Sequence, residues 1–109
     1  MKKLDHTHYS GCYADIMVLT TYNEIVRQFG DPTVIGSGDD KVQFTWDFET
    51  DDGVHFYMYD WKEYDGFGND ENIWWHIGRV HGKNAWKPGD YEKVVNELKE
   101  HFATVKEDK

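Results

Sequence analysis

The chain has 109 residues, a net charge of −9, 17% aromatic residues and a single cysteine, Cys12. That length suits one domain with a core of its own, and one cysteine excludes an intramolecular disulfide framework. No apolar run approaches the roughly 18 residues of a membrane span, and the basic start Met1-Lys2-Lys3 is not followed by an apolar signal region, so a soluble cytoplasmic protein with no membrane partner is expected.

Asp5-His6-Thr7-His8 opens the chain. A His-x-His pair can chelate a transition metal, but no third ligand of recognisable spacing accompanies it, and neither metal nor cofactor is expected. Residues 1–8 are expected to fray. After the break at Ser10-Gly11, Cys12, Ala14, Ile16 and Val18 alternate with Tyr13, Asp15 and Met17, which predicts a first strand over 9–19. In that alternation Cys12 reads as a buried small residue and not as a nucleophile.

Thr21-Tyr22-Asn23-Glu24 is a capping box, because the threonine hydroxyl and the glutamate carboxylate can satisfy the free amides of a helix start. Tyr22, Ile25, Val26 and Phe29 then fall on one helical face, and Gly30-Asp31-Pro32 stops the helix. Residues 35–40 form an acidic connection whose two glycines lack the spacing of a phosphate-binding loop.

Residues 41–64 are the part around which the chain is organised. Val42, Phe44, Trp46 and Phe48 alternate with Gln43, Thr45, Asp47 and Glu49, the period of a half-buried strand. Asp51-Asp52-Gly53 supplies a three-residue hairpin loop with Gly53 at positive φ, which sets Thr50 against Val54, Phe48 against Phe56 and Trp46 against Met58. A two-residue turn would shift the register by one; the longer loop is expected because it pairs apolar residues with apolar residues. The other face of the second strand then carries His55, Tyr57, Tyr59 and Trp61, where a wet sheet face would ordinarily carry Lys, Thr and Glu. Such a face is either covered by more protein or binds something.

A glycine-rich acidic loop with one aromatic, Phe67, follows; it lacks the pattern of a calcium loop. Residues 73–80, IWWHIGRV, read as a third meander strand. With Ile73, Trp75 and Ile77 in the core, Trp74, His76 and Gly78 join the aromatic face, Gly78 leaving a gap beside Arg79 and His81. Pro88-Gly89-Asp90 starts a last helix whose stripe is Tyr91, Val94, Val95, Leu98, Phe102 and Val105, with residues 106–109 expected to fray. The expected fold is α+β, in the order β-α-β-β-β-α, with an antiparallel meander over 41–80 packed on two helices. The whole chain is one domain.

Charge is concentrated. Residues 39–71 carry eleven acids against Lys41 and Lys62, which equals the whole net charge. Such a field repels free nucleic acid and favours a basic protein surface as partner, although solubility alone would also account for it.

Three phrases together, the helix 21–32 with its Tyr22, Ile25, Val26, Phe29, Gly30 and Pro32, the Trp46-containing hairpin ending Tyr59-Asp60-Trp61-Lys62, and Trp75-His76-Ile77-Gly78, resemble a family of small phage-encoded proteins. That family carries a Y-x-x-[LIV]-[LIV]-x-x-F-G-x-P helix and a W-H-I-G-G element. The resemblance covers about residues 10–82 and departs at Arg79, where the second glycine of that element is expected. It implies a phage accessory role in the host cytoplasm and carries over no catalytic residue.

No motif arranges the histidines, the carboxylates and Cys12 for catalysis, so an enzyme is the least expected class. The leading expectation is an inhibitor that binds a host defence or nucleic-acid-handling protein, using Asp47, Glu49, Asp51, Asp52, Tyr57, Tyr59 and Trp61, with carboxylates imitating nucleic-acid phosphates. The alternative is a module that stacks a planar nucleotide-like ligand on the aromatic face, with Trp74 and His76 at the ring and Arg79 on a phosphate. A homodimer is a third way to cover that face.

Overall fold

The hairpin register expected from the loop is present in the structure, a computed structural model that describes residues 1–7, 11–36, 41–63 and 66–108. Strands β4 (Phe44–Glu49) and β5 (His55–Tyr59) pair antiparallel with Trp46 opposite Met58 and Phe48 opposite Phe56. The loop closes through Thr50, whose amide donates to the Val54 carbonyl at 2.9 Å and whose hydroxyl accepts from the Val54 amide at 3.0 Å. Gly53 has φ 90°, the left-handed conformation for which the loop needs glycine.

Around this hairpin the chain builds an α+β fold of two helices and a seven-stranded sheet whose pairs are all antiparallel. The remaining strands are β1 (Lys2–Lys3), β2 (Gly11–Thr20), β3 (Val34–Ile35), β6 (Ile73–Val80) and β7 (Thr104–Glu107). Their order is β1-β4-β5-β6-β2-β7, and β3 shares the outer edge of β4 with β1. The meander over 41–80 is thus present, flanked by strands beyond the expected set. Lys2 and Lys3 in β1 and Lys106 and Glu107 in β7 are paired where frayed ends were expected, and Val105 lies in a strand instead of extending the last helix. The open edge of β2 accounts for the second difference: it offers backbone partners to a short segment with β-branched Thr104 and Val105.

Helix α1 (Tyr22–Phe29) starts at Thr21, whose hydroxyl accepts from the Glu24 amide at 3.0 Å, and ends where Gly30 turns away at φ 90°. Both ends are pinned by buried indoles. Trp46 donates to the Gly30 carbonyl at 3.0 Å and Trp75 to the Thr20 carbonyl at 3.1 Å, so each fully buried indole has its N–H satisfied. The two indoles meet edge-on at 5.4 Å and form the centre of the core with Ile16, Val18, Ile25, Phe48 and Phe56. Helix α2 (Asp90–His101) adds Val94, Val95 and Leu98 to the same side of the sheet.

Two buried carboxylates serve the backbone. Asp60 accepts from the amides of Gln43 and Phe44, at 3.0 and 2.8 Å, and so anchors the entry to β4. Burial pushes its carboxyl up while those amides pull it down, and the net shift is upward. Glu97 on α2 accepts from the Asp51 amide at 2.9 Å, which ties the hairpin loop to the helix. Strand β2 carries a bulge between Tyr13 and Met17 with Asp15 at φ 61°. Two extra residues separate the pairs Tyr13–Gly78 and Met17–His76; a shift of two leaves every side chain on its original face, so Ala14 and Ile16 stay in the core. Cys12 precedes the bulge and is exposed, not buried as its alternation suggested.

Candidate functional site

The pairing brings one ring after another onto the sheet face opposite the helices. Tyr57 sits across from Gly78 and Tyr59 from His76, while Tyr13 and Met17 follow on β2. Gly78 leaves no gap. A Cβ there would lie 2.1 Å from the Tyr57 ring, so the tyrosine lies directly over the glycine and fills the space. Gly11 is restricted from the other side, since its Cβ would lie 2.2 Å from the Arg79 carbonyl oxygen and 2.7 Å from the Tyr57 hydroxyl. Both positions require glycine because a ring and a strand approach closely.

Beyond Tyr57 the rings form a ridge. Tyr57 and Tyr59 are 5.4 Å apart, Tyr59 and His76 5.6 Å, and Tyr13 and His76 4.9 Å. Trp61 stands perpendicular to Tyr59 at 6.2 Å and lies 6.5 Å from His76. Trp74, two residues from His76 and on the same face, completes the ridge next to Leu19. Trp61 and Trp74 are each 37% exposed, whereas the core indoles of Trp46 and Trp75 are fully buried. Each exposed indole carries a lysine of its own chain: Lys62 Nζ lies 5.5 Å from the Trp61 centroid and Lys106 Nζ 5.8 Å from that of Trp74.

The tyrosines and the histidine of the ridge are uncharged at physiological pH, so its charge comes from Lys62 and Lys106. Burial raises the Tyr57 hydroxyl to about 12 and lifts Tyr59 higher still. Tyr13 is also raised to about 12, by burial first and then by Asp108, whose carboxylate accepts its hydroxyl hydrogen at 3.4 Å. Burial lowers His76, which keeps its imidazole uncharged.

The acidic residues expected beside these rings are buried, partnered or distant. Asp47 is on the same face but fully buried, with 0% exposure, so it offers a partner no surface; its amide is held by the Thr33 hydroxyl at 3.0 Å. Glu49 is half-buried and engages His55 Nε2 at 3.2 Å and Lys2 at 3.9 Å. Asp51 and Asp52 are exposed at the hairpin tip. Trp61 is eight residues beyond Gly53, roughly 25 Å away at the rise of an extended strand. Acidic tip and aromatic ridge therefore occupy opposite ends of the hairpin and do not form one compact patch.

Arg79 is not on the ridge either. It pairs with Phe56, on the helix side, and its guanidinium lies 5.3 Å from the Trp86 ring centroid. A cavity of about 220 Å³ is lined by Asp52, Lys83, Lys87, Asp90 and Lys93, and one of about 500 Å³ by Leu19, Glu24, Asn72, His101 and Phe102; neither is lined by an aromatic ring of the ridge. Among the described residues no group of three or more His, Cys, Asp or Glu could hold a metal, and no helix is long and apolar enough to cross a membrane. Of the Asp5–His8 segment, His8 lies outside the described residues.

Sequence reasoning passed over Tyr13, Lys62 and Lys106 as members of this site. Tyr13 was legible, since it alternates with Cys12 and Ala14; the lysines were not, since their placement depends on the turn after β5 and on the pairing of β7 with β2. Comparison with protein-family models, with curated proteins and with solved structures returned no match, so fold and ridge are read from this chain alone.

Proposed function

We propose that the chain is a small acidic phage-type protein that binds and inhibits a host protein with a basic surface, in the host cytoplasm, and that the aromatic ridge is its contact surface. The observation that carries this reading is the exposure of Trp61 and Trp74 on a sheet face that the helices do not cover. Exposed, rigid aromatics are the residues that dominate protein interfaces, because they release much apolar surface from water at little entropic cost. The acidic excess of 39–71 favours a basic partner, such as a defence or nucleic-acid-handling protein whose groove normally accepts phosphates. The resemblance to phage-encoded proteins points the same way.

Within this reading the acids and the rings divide the work. Asp51 and Asp52 at the tip attract a positive surface over a distance, whereas Tyr59, Trp61, His76 and Trp74 hold it on contact. Asp47 is left with a structural role. The ligand-stacking alternative needs Arg79 beside Trp74 and His76, and Arg79 is on the other face with its guanidinium on Trp86.

The test is capture from host-cell lysate by the wild-type chain, by Trp61→Ala/Trp74→Ala and by Asp51→Lys/Asp52→Lys, with bound proteins and small molecules both analysed. A protein retained by wild type and lost from the tryptophan variant is expected. Retention of a nucleotide-like molecule that depends on Trp74 and His76, with no protein, would replace this reading by the ligand module; a concentration-dependent dimer that depends on the same tryptophans would replace it by self-association.

A further inference from the structure

Resting on the ridge reading and naming what the ridge takes from its partner, we infer that the corner between Tyr59, Trp61 and His76 receives an arginine side chain presented by an extended basic segment. Three observations converge. The two exposed indoles already act as cation sites, because Lys62 and Lys106 place their ammonium groups within 6 Å of them. The perpendicular setting of Trp61 against Tyr59, at 89°, offers a planar group one π face to stack on and a second ring beside it, with His76 as the third wall. The net charge of the chain, −9, favours a cationic over an anionic partner for the molecule as a whole.

Arginine fits this corner better than lysine does. Its guanidinium is flat, stacks on aromatic faces and is weakly hydrated, whereas an ammonium gives up tightly bound water to reach a ring. The resident Lys62 can therefore yield its place to an incoming guanidinium and return to solvent. The backbone holds that lysine in position: Lys62 is one of two described non-glycine residues with positive φ, at 57°, and its amide donates to the Lys41 carbonyl at 2.8 Å. A neutral His76 adds no second positive charge to that of the displaceable Lys62.

The probe is a twelve-residue peptide of alternating arginine and glycine, with its citrulline counterpart, which keeps the shape and loses the charge. Nitrogen–proton spectra resolve the indoles of Trp61 and Trp74 from those of Trp46 and Trp75. The arginine peptide should shift the Trp61 and Trp74 signals and leave the two core indoles unmoved, with the citrulline peptide at least tenfold weaker. Trp61→Leu, which keeps apolar area and removes the π face, should weaken the arginine peptide about tenfold, whereas Lys62→Ala, which removes the resident cation and leaves the rings intact, should tighten it severalfold. Equal binding of the citrulline peptide would overturn the inference, as would shifts confined to residues 49–55. If capture of the host protein still depends on Trp61 and Trp74 while the peptides are not discriminated, the ridge reading stands and the arginine assignment falls.

Discussion

Tyr57 and Gly78 show how one residue's size is set by its neighbour. Because a Cβ at position 78 would overlap the tyrosine ring, Gly78→Ala is predicted to cost about 2 kcal/mol or more. Tyr57→Ala alone should cost about 3 kcal/mol through the void over the glycine. In the double variant the alanine methyl enters that void, so the two costs should fall short of their sum by at least about 1 kcal/mol in urea unfolding; strict additivity would mean the ring does not lie on the glycine. Asp60→Ala, which removes the acceptor of two backbone amides, should cost about 2 to 3 kcal/mol, with Asp60→Asn milder because a carbonyl remains. His76 makes stability depend on pH. Burial holds its folded pKa below the ordinary 6.5, so the unfolded chain takes up the proton first. The contribution is complete above about pH 6.5 and is lost as pH falls below it towards the folded value. His76→Gln should flatten the urea midpoint between pH 7.5 and 5.5; an unchanged slope would assign the dependence to another group.

Elements differ in how far their own residues determine them. Helix α1 is a local product: Thr21 caps it, Gly30 ends it, and Thr21→Ala should lower stability by about 1 kcal/mol with Thr21→Ser close to neutral, as read from thermal unfolding. No change on Thr21→Ala would place the start of the helix under the control of Trp75 and Thr20 alone. The β4–β5 register was legible for the same reason, since loop chemistry and alternation both act within a few residues. Strands β1, β3 and β7 were not legible. Lys2–Lys3 and Val34–Ile35 are too short to show a period, and β7 exists because β2 has a free edge, which is a tertiary fact. The bulge in β2 was likewise hidden, because two added residues preserve the in-and-out pattern. The ridge was half legible. Alternation placed Tyr57, Tyr59, Trp74 and His76 on one face and put Arg79, in phase with Ile73, Trp75 and Ile77, on the other, where the strand pairing has it, but it could not tell that Asp47 on the ring face is buried.

At the scale of the whole molecule the hairpin separates two kinds of interaction along its length, with exposed carboxylates at the tip and rings at the far end. Under the proposed function, charge at the tip would act through encounter, so Asp51→Lys/Asp52→Lys should slow partner association, with the difference from wild type shrinking between low and moderate salt, and leave dissociation nearly unchanged. A change confined to dissociation would place the tip inside the contact. The rings should behave in the opposite way, because contacts that exclude water govern how long a complex lasts. The decisive measurement is the dissociation rate of the captured host protein from wild type and from Trp61→Ala/Trp74→Ala, in one buffer, with both chains shown to melt at the same temperature. A loss on the order of 2 kcal/mol at a central aromatic anchor predicts dissociation roughly thirtyfold faster with association little altered. An unchanged dissociation rate would contradict the assignment of the ridge as the contact surface.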